Sequence, residues 1–277
     1  MYSVTVDTVS TLRALAYDDL ADCLKLAADR DWPLEDRKWA FLLDHGIGFG
    51  LVDPSGSLIG STIVTRYGDE HAAISMVLVA ARHAGQGLGR RLMEHALSIA
   101  DCPVVSLHAT PYGRPLYEKL GFRAVGRVTA HVGGFRGGSL SGETRAALHA
   151  DLPGIVRADA AAFGADRTDL WKGYFRFADQ VRLGPAGGFA AAWQNIDSLV
   201  IGPVVAGSSD EAQLLIADLA VGVEGPIRVD TPDPALGSWL VEHGVVERFT
   251  VDSMVRGASD LPGDRARLFA PMMQALG

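Results

Sequence analysis

The sequence predicts a mixed α/β (α+β) fold, in which a largely antiparallel central sheet is flanked by helices and the whole arrangement occurs twice in tandem. Three observations predict it. Apolar runs of strand length alternate with stretches of helical period along the chain. The early runs are joined by short turn segments, which make hairpins rather than crossovers. After a glycine-rich stretch near the middle, the same order of signals starts again.

Composition bounds what such a chain can do. At 277 residues it can bury two cores of ordinary domain size. Hydrophobic residues at 48% against charged residues at 21% fit a globular protein rather than a disordered one. A net charge of −8, without a stripe of Arg and Lys, argues against a nucleic-acid partner. No apolar run reaches the roughly 18–20 residues that cross a bilayer, so no membrane role is expected. Residues 1–7 lack the layout of a secretory signal. Cys23 and Cys102 make neither a disulfide framework nor a metal site, and two buried thiols fit a reducing compartment. The expected location is the cytoplasm.

The elements follow in order. Asp18 or Asp19 can cap a first helix with Leu20, Leu24, Ala27 and Ala28 on its apolar face. A second helix covers Leu34 to Leu43. Phe49 to Val52 and Leu58 to Thr65 form strands joined by the turn Pro54-Ser55-Gly56-Ser57. Gly68-Asp69-Glu70 is another turn, and Ala72 to Val79 is a nearly continuous apolar strand that should be covered on both faces. A helix over Leu88 to Ala100 buries Leu88, Leu92, His95 or Ala96, and Ile99. Val104 to His108 is a short strand, Pro115 to Leu120 a helix closed by Gly121, and Phe122 to Val132 a last strand or hairpin. Residues 133–139 read as a linker by composition. Beyond it, Asp151-Leu152-Pro153 opens a helix as Asp19-Leu20 did. Strands follow at Phe189 to Trp193 and Leu199 to Val205, then a helix at Asp210 to Ala220. A strand at Ile227 to Asp230, a short helix at Trp239 to His243 and a strand at Phe249 to Val255 complete the repeat. The domains are therefore expected at 1–138 and 139–277.

Chemistry concentrates after the third strand of the first half. Val77, Leu78 and Val79 end an apolar run, and Ala84-Gly85-Gln86-Gly87-Leu88-Gly89-Arg90 leads into the helix. Glycines at 85, 87 and 89 let the backbone approach an anion closely, and the free amides of a helix start favour phosphate. The dinucleotide fingerprint needs other spacing and a later acidic residue, and a P-loop needs Gly-Lys-Ser/Thr; neither is present. Twenty-eight residues after Gly89, Tyr117 stands in Leu116-Tyr117-Glu118-Lys119-Leu120-Gly121-Phe122. Alone, Tyr117 reads as a core aromatic beside Phe122.

The glycine loop paired with this tyrosine motif resembles the GNAT N-acetyltransferase superfamily over about residues 10–132. The resemblance implies that the backbone of Ala84 to Arg90 grips the pyrophosphate of acetyl-coenzyme A. It further implies that the strand at Val77 to Val79 offers backbone groups to the pantetheine arm, and that Tyr117 protonates the departing thiolate. Three positions depart from the family pattern. Ala84 replaces a Gln or Arg, Thr110 replaces an Asn that touches the pantetheine arm, and Gly113 replaces a small Ala without expected harm. The implied reaction is direct transfer of acetyl to a primary amine of a small molecule in a ternary complex. A non-catalytic acyl-coenzyme A sensor and a protein-lysine acetyltransferase are the other readings. Such an amine is protonated at neutral pH and must lose a proton to a base. His71, Glu70, Asp69, Glu35, Asp36 and His108 are candidates, and His83 is expected to face solvent. Oligomeric state is left open, with a homodimer as one option.

The second half looks degenerate. Ala206-Gly207-Ser208-Ser209-Asp210-Glu211 brings acids to the place of phosphates, and Leu240 takes the place of Tyr117. Trp171, Tyr174, Phe175, Phe177 and Trp193 are expected to pack a core, with a cleft lining as the alternative.

Overall fold

The computed structural model describes residues 10–138 and 140–277. The chain forms two compact units. The first holds the described part of Met1–Thr65 together with Ile74–Asp101; the second holds Arg66–Ala73 together with Cys102–Gly277.

In the first unit, β1 (Thr11–Leu15), β2 (Ile47–Val52), β3 (Leu58–Tyr67) and β4 (His71–Val79) lie side by side in chain order. The pairs β1–β2 and β2–β3 are antiparallel, as the turn chemistry at residues 54–57 requires. Helices α1 (Leu20–Ala28), α2 (Asp36–His45) and α3 (Leu88–Ala100) supply the apolar cover. Leu42, Leu51, Ile63, Leu92, Met93 and Ala96 are fully buried. One expectation changes here: α1 buries Cys23, Leu26 and Ala27 rather than Leu20, Leu24 and Ala28. A short 3-10 turn at Tyr17–Asp19 precedes the helix. Asp19 does precede the helix, but its carboxylate is spent on Arg13 (2.7 Å) and the Ala16 N–H (2.9 Å), so it makes no side-chain cap.

The second unit contains β5 (Val104–Ala109), α4 (Arg114–Lys119), β6 (Arg123–Gly133), β7 (Arg145–Ala146) and α5 (Leu152–Phe163). These are followed by α6 (Thr168–Phe177), β8 (Gln180–Leu183), β9 (Phe189–Gln194), β10 (Leu199–Val205), α7 (Ser209–Ala220) and β11 (Ile227–Thr231). The chain ends in α8 (Pro234–Glu242), β12 (Val246–Arg256) and β13 (Leu268–Ala270). The strands run β5-β12-β6-β11-β10-β9-β8-β7, with β13 on β10. The first three residues of β4 pair parallel with Val104–Ser106 of β5, and Leu199–Ile201 of β10 pair parallel with Ile227–Val229 of β11.

The repeat is direct in the geometry. Arg145 binds Asp151 at 2.7 Å while Asp151 accepts the Leu148 N–H at 2.7 Å, which reproduces the Arg13–Asp19–Ala16 arrangement at the same six-residue spacing. The halves also exchange their last strands. β12 lies between β5 and β6, and β6 lies between β12 and β11, all antiparallel. Val251 opposes Val128 near the centre of this pair of eleven-residue strands. Residues 102–133 therefore pack with the second half, and the compact units do not follow the repeat.

Two further expectations are settled here. The stretch 133–139 is docked where it is described, not a free linker. Gly133 pairs with Ile227, the Arg136 N–H donates to the His243 carbonyl at 2.7 Å, and Phe135 stacks on His243. Gly133 serves close approach, since a Cβ there would meet the Gly244 carbonyl at 2.2 Å. The aromatics at 171, 174 and 193 are core: Trp171 and Tyr174 are wholly buried and Trp193 is 1% exposed.

Candidate active site

The glycine loop lies in the first unit. β4 carries a bend at Met76, a buried residue with φ +51. A left-handed side chain costs of order 1–3 kcal/mol and marks a position that the surroundings hold in place. The Ser61 hydroxyl does part of that by donating to the Met76 carbonyl at 2.9 Å. Beyond the bend, Leu78 is buried while Val77 and Val79 are half-buried. A 3-10 turn at Ala81–His83 follows, held by the Ala81 N–H on Asp29 at 2.6 Å. Ala84 is extended, Gly85 has φ +76, and Gly87, at φ +78, is the residue before α3. A side chain at 85 or 87 would meet no atom within 4 Å, so these glycines serve no packing. They shape an open backbone cradle that a Cβ would intrude upon.

The first amide of α3 outside the loop to find an acceptor is that of Arg91, on the Gly87 carbonyl at 3.1 Å. The N–H groups of Leu88, Gly89 and Arg90 precede it and are the orphan donors of a helix start. Arg82 reaches Asp53 at 3.3 Å, and Arg90 reaches Glu94 at 2.7 Å, both as solvent-exposed pairs that an incoming anion can displace cheaply. Arg91 is structural: it donates to both the carbonyl and the hydroxyl of Ser10. Ala84 is exposed and adds only backbone. His83 is half-buried rather than free in solvent, because Arg82 and Gln86 hold its two ring nitrogens.

Tyr117 lies in the second unit on α4. Its residue exposure is 8%, and burial pushes the phenol up to about 12. It stays protonated throughout the physiological range. Among the described residues nothing hydrogen-bonds to its hydroxyl, although Phe122 packs on the ring at 6.2 Å. Thr110 organises the entry to α4: its carbonyl accepts the N–H groups of Gly113 and Arg114 at 3.0 Å, and its hydroxyl oxygen accepts that of Gly113 at 3.3 Å. Gly113 matters more than expected. A Cβ there would lie 2.8 Å from Tyr117 Cε2 and 3.1 Å from the hydroxyl, so an alanine would push the phenol aside. Sequence reading missed one further contributor. Asp252, on β12 of the second half, binds Arg114 at the start of α4 at 2.9 Å.

The second half presents the same elements closed. The Glu211 carboxylate is buried and accepts the N–H groups of Ala186 (3.0 Å), Gly188 (2.9 Å) and Gly207 (3.0 Å). An internal anion thus sits between the β8–β9 turn and the residue before the α7 cap. The signal was present in the sequence, because Ser208-x-x-Glu211 is a capping-box pattern and Ser208 does accept the Glu211 N–H. β9 occupies one edge of β10 as far as Val205, so β13, paired at Val204 and Val205, must take the other edge just beyond the β11 pairing. Leu240 is wholly buried on α8.

The candidate bases separate by burial. His71 is 1% exposed, bonds Ser106 at 2.8 Å, stacks on Phe163 and is pulled down to about 3, which makes it a core residue. Glu35 is buried and paired with Lys38. Asp36 caps the Arg37 N–H, Asp69 pairs with Arg66 on an exposed turn, and Glu70 is exposed beside it. His108 is half-buried; its Nδ1 donates to the Gln274 carbonyl at 2.8 Å and burial lowers its pKa, leaving Nε2 as a lone-pair acceptor.

Comparison with known proteins gives the family. Residues 13–122 match the acetyltransferase (GNAT) family, and residues 155–270 match a second acetyltransferase (GNAT) domain. The chain is 29% identical to the uncharacterized N-acetyltransferase YitH of Bacillus subtilis, over 98% of this chain and 100% of that protein. In fold it is similar to a crystal structure of a putative acetyltransferase from Pyrococcus horikoshii, with TM-score 0.82, 17% identity, and coverage of 100% of this chain and 99% of that one. A tandem GNAT protein from the clavulanic acid biosynthesis pathway matches with TM-score 0.61 and 12% identity over 91% of this chain and 100% of its own. The chain belongs to the GNAT acetyltransferase family and carries two such domains in tandem.

Proposed function

We propose that this tandem GNAT acetyltransferase transfers acetyl from acetyl-coenzyme A to a primary amine of a small molecule, in the cytoplasm, with coenzyme A held by the first repeat alone. One observation carries the reading. Gly85 and Gly87 hold left-handed backbone with nothing within 4 Å of their α-hydrogens' side, directly before the amides of α3. That cradle suits a diphosphate, and the residues that would hold it are Ala84, Gly85, Gln86, Gly87, Leu88, Gly89 and Arg90 through backbone N–H groups. Val77, Leu78 and Val79 would offer strand backbone to the pantetheine arm, and Thr110 a hydroxyl.

When bound, acetyl-coenzyme A would supply an activated thioester. The chain's own part is then positional and electrostatic. Tyr117, protonated and unpartnered, is a hydrogen-bond and proton donor for a departing sulfur anion. A phenol near pKa 12 gives its proton uphill to a thiolate near 8.5, so its main effect is to stabilise developing charge. The second repeat, closed by Glu211 and β13, does not hold coenzyme A; it walls the acceptor cleft, and through Asp252 it fixes the start of the helix that bears Tyr117. We assign coenzyme A binding and the proton donor to 1–138 and this walling and positioning role to 139–277.

The test is thiol release from acetyl-coenzyme A across a panel of amines. Release with at least one small amine is the expected result. Binding of coenzyme A with no release for any amine would favour a sensor, and release with lysine peptides alone would favour a protein acetyltransferase.

A further inference from the structure

We propose that the cavity bounded by His108, Ser253, Asp260 and Arg265 is the acceptor site, and that it takes a small amine that also carries a carboxylate, an amino acid in the broad sense. This rests on the acetyltransferase reading and narrows it from a reaction to a substrate class.

The cavity measures about 270 Å³, the size for a single small metabolite. Its floor is the exchanged strand pair. Register sets His108 of β5 opposite Ser253 of β12, and Ser253 opposite Gly126 of β6. Gly126 keeps the floor low, since a Cβ there would meet only Ser253, at 3.9 Å. The chain links the cavity to the helix of Tyr117. His108 stands two residues before Thr110, whose carbonyl accepts the N–H groups of Gly113 and Arg114 at the entry to α4.

Arg265 carries the inference. Its Nε–H donates to the Pro262 carbonyl at 2.7 Å and an Nη2–H to the Phe163 carbonyl at 2.9 Å, while the guanidinium lies 4.4 Å from the Phe163 ring centre. These partners are neutral. Among the described residues no carboxylate forms an ion pair with it. Its neighbour Arg167 takes both oxygens of Asp159, at 2.8 and 2.6 Å, across the other approach to Phe163. Burial and the Arg167 charge pull Arg265 down to about 10, which still leaves it cationic at neutral pH. Asp159 and the cavity residue Asp260 act on it only through space, so the half-buried guanidinium keeps N–H groups without a bonded anion, and these are shaped to grip a carboxylate. The amine end is provided for as well. His108, anchored through Nδ1, presents Nε2 as an acceptor, and Asp260 adds a negative charge to the same wall. One cavity thus offers a cation and an amine acceptor at once. An alkylamine lacking a carboxylate would leave those Arg265 N–H groups without a bonded anion.

The experiment measures kcat/KM for thiol release with a set of α- and ω-amino acids and their carboxamides, with coenzyme A binding followed on the same samples. The wild type should prefer its best acid over the matching amide by on the order of 10- to 100-fold. Arg265→Met should bring that ratio close to one, and Arg265→Lys should restore part of it. Propionate should inhibit the wild type competitively against the amino acid, a readout that does not depend on any variant folding. Equal kcat/KM for acid and amide, a preference that survives Arg265→Met, or absent propionate competition would overturn the proposal. Loss of coenzyme A binding would overturn the acetyltransferase reading and this one with it; intact binding without discrimination overturns this one alone.

Discussion

The starts of α3 and α7 hold the same place in the two repeats, each following a strand that opens a parallel pairing over three residues. At α3, two left-handed glycines leave the amides open, with no atom near enough to touch an added side chain. Beside α7, the Glu211 carboxylate takes the amides of Ala186 and Gly188 in the β8–β9 turn and of Gly207 before the Ser208 cap, and a Cβ at Gly188 would lie 2.6 Å from that carboxyl. On the proposed function, one repeat recruits an anion from outside, while the other carries one covalently. The contrast teaches that a duplicated fold can retire a site without losing its local electrostatics, and that an internal anion marks the supporting copy.

The largest effect should come from making α3 resemble α7. Gly87→Glu brings bulk and a negative charge to a φ of +78, and should weaken coenzyme A binding more than about 10²-fold by like-charge repulsion. A normal thermal shift with coenzyme A in that variant would break the comparison. Next, Tyr117→Phe should lower kcat by roughly 10²–10⁴-fold while coenzyme A affinity holds, the scale of a positioned proton donor. Unchanged turnover would show that Tyr117 is a core residue like its counterpart Leu240.

The reverse change is structural. Glu211→Ala leaves the amides of Ala186, Gly188 and Gly207, of which only Gly188 is a buried residue, without this acceptor and should cost about 2 kcal/mol in denaturant unfolding. It should not create a second coenzyme A site, because β13 still lines β10. Asp252→Asn should reduce kcat by about 10-fold, less than the 10² of a full ångström of misplacement, with KM for coenzyme A unchanged. A pure stability loss with full kcat would deny Asp252 its positioning role. The smallest effect lies in the pH dependence. His71 titrates near 6.5 unfolded and about 3 folded, so the unfolded chain binds the extra proton between those values. Its contribution is complete above pH 6.5 and falls as the pH drops toward 3, by about 2 kcal/mol at pH 5. His108 is lowered too and acts in the same direction. His71→Gln should flatten the acid limb of the stability curve.

Much of this was readable from residues. β10 and α3 fall at the expected residues, and Gly121 closes α4 with φ +87. Local periodicity and turn chemistry determine such elements. What escaped depends on distant partners. β13 is three residues long and exists only because β10 has an open edge. The exchange of β6 and β12 is invisible to periodicity, since a strand reads alike whichever half it joins. Met76 carries no signal of its left-handed turn, because methionine has no preference for it. His71 drew notice as a titratable group, yet the ring of Phe163, far along the chain, makes it core.

Calorimetric titration of the intact chain with coenzyme A tests the central claim most directly. One molecule bound per chain, lost in Gly87→Glu and kept in Glu211→Gln, is the predicted result. Two molecules per chain, none, or one that survives Gly87→Glu would contradict it.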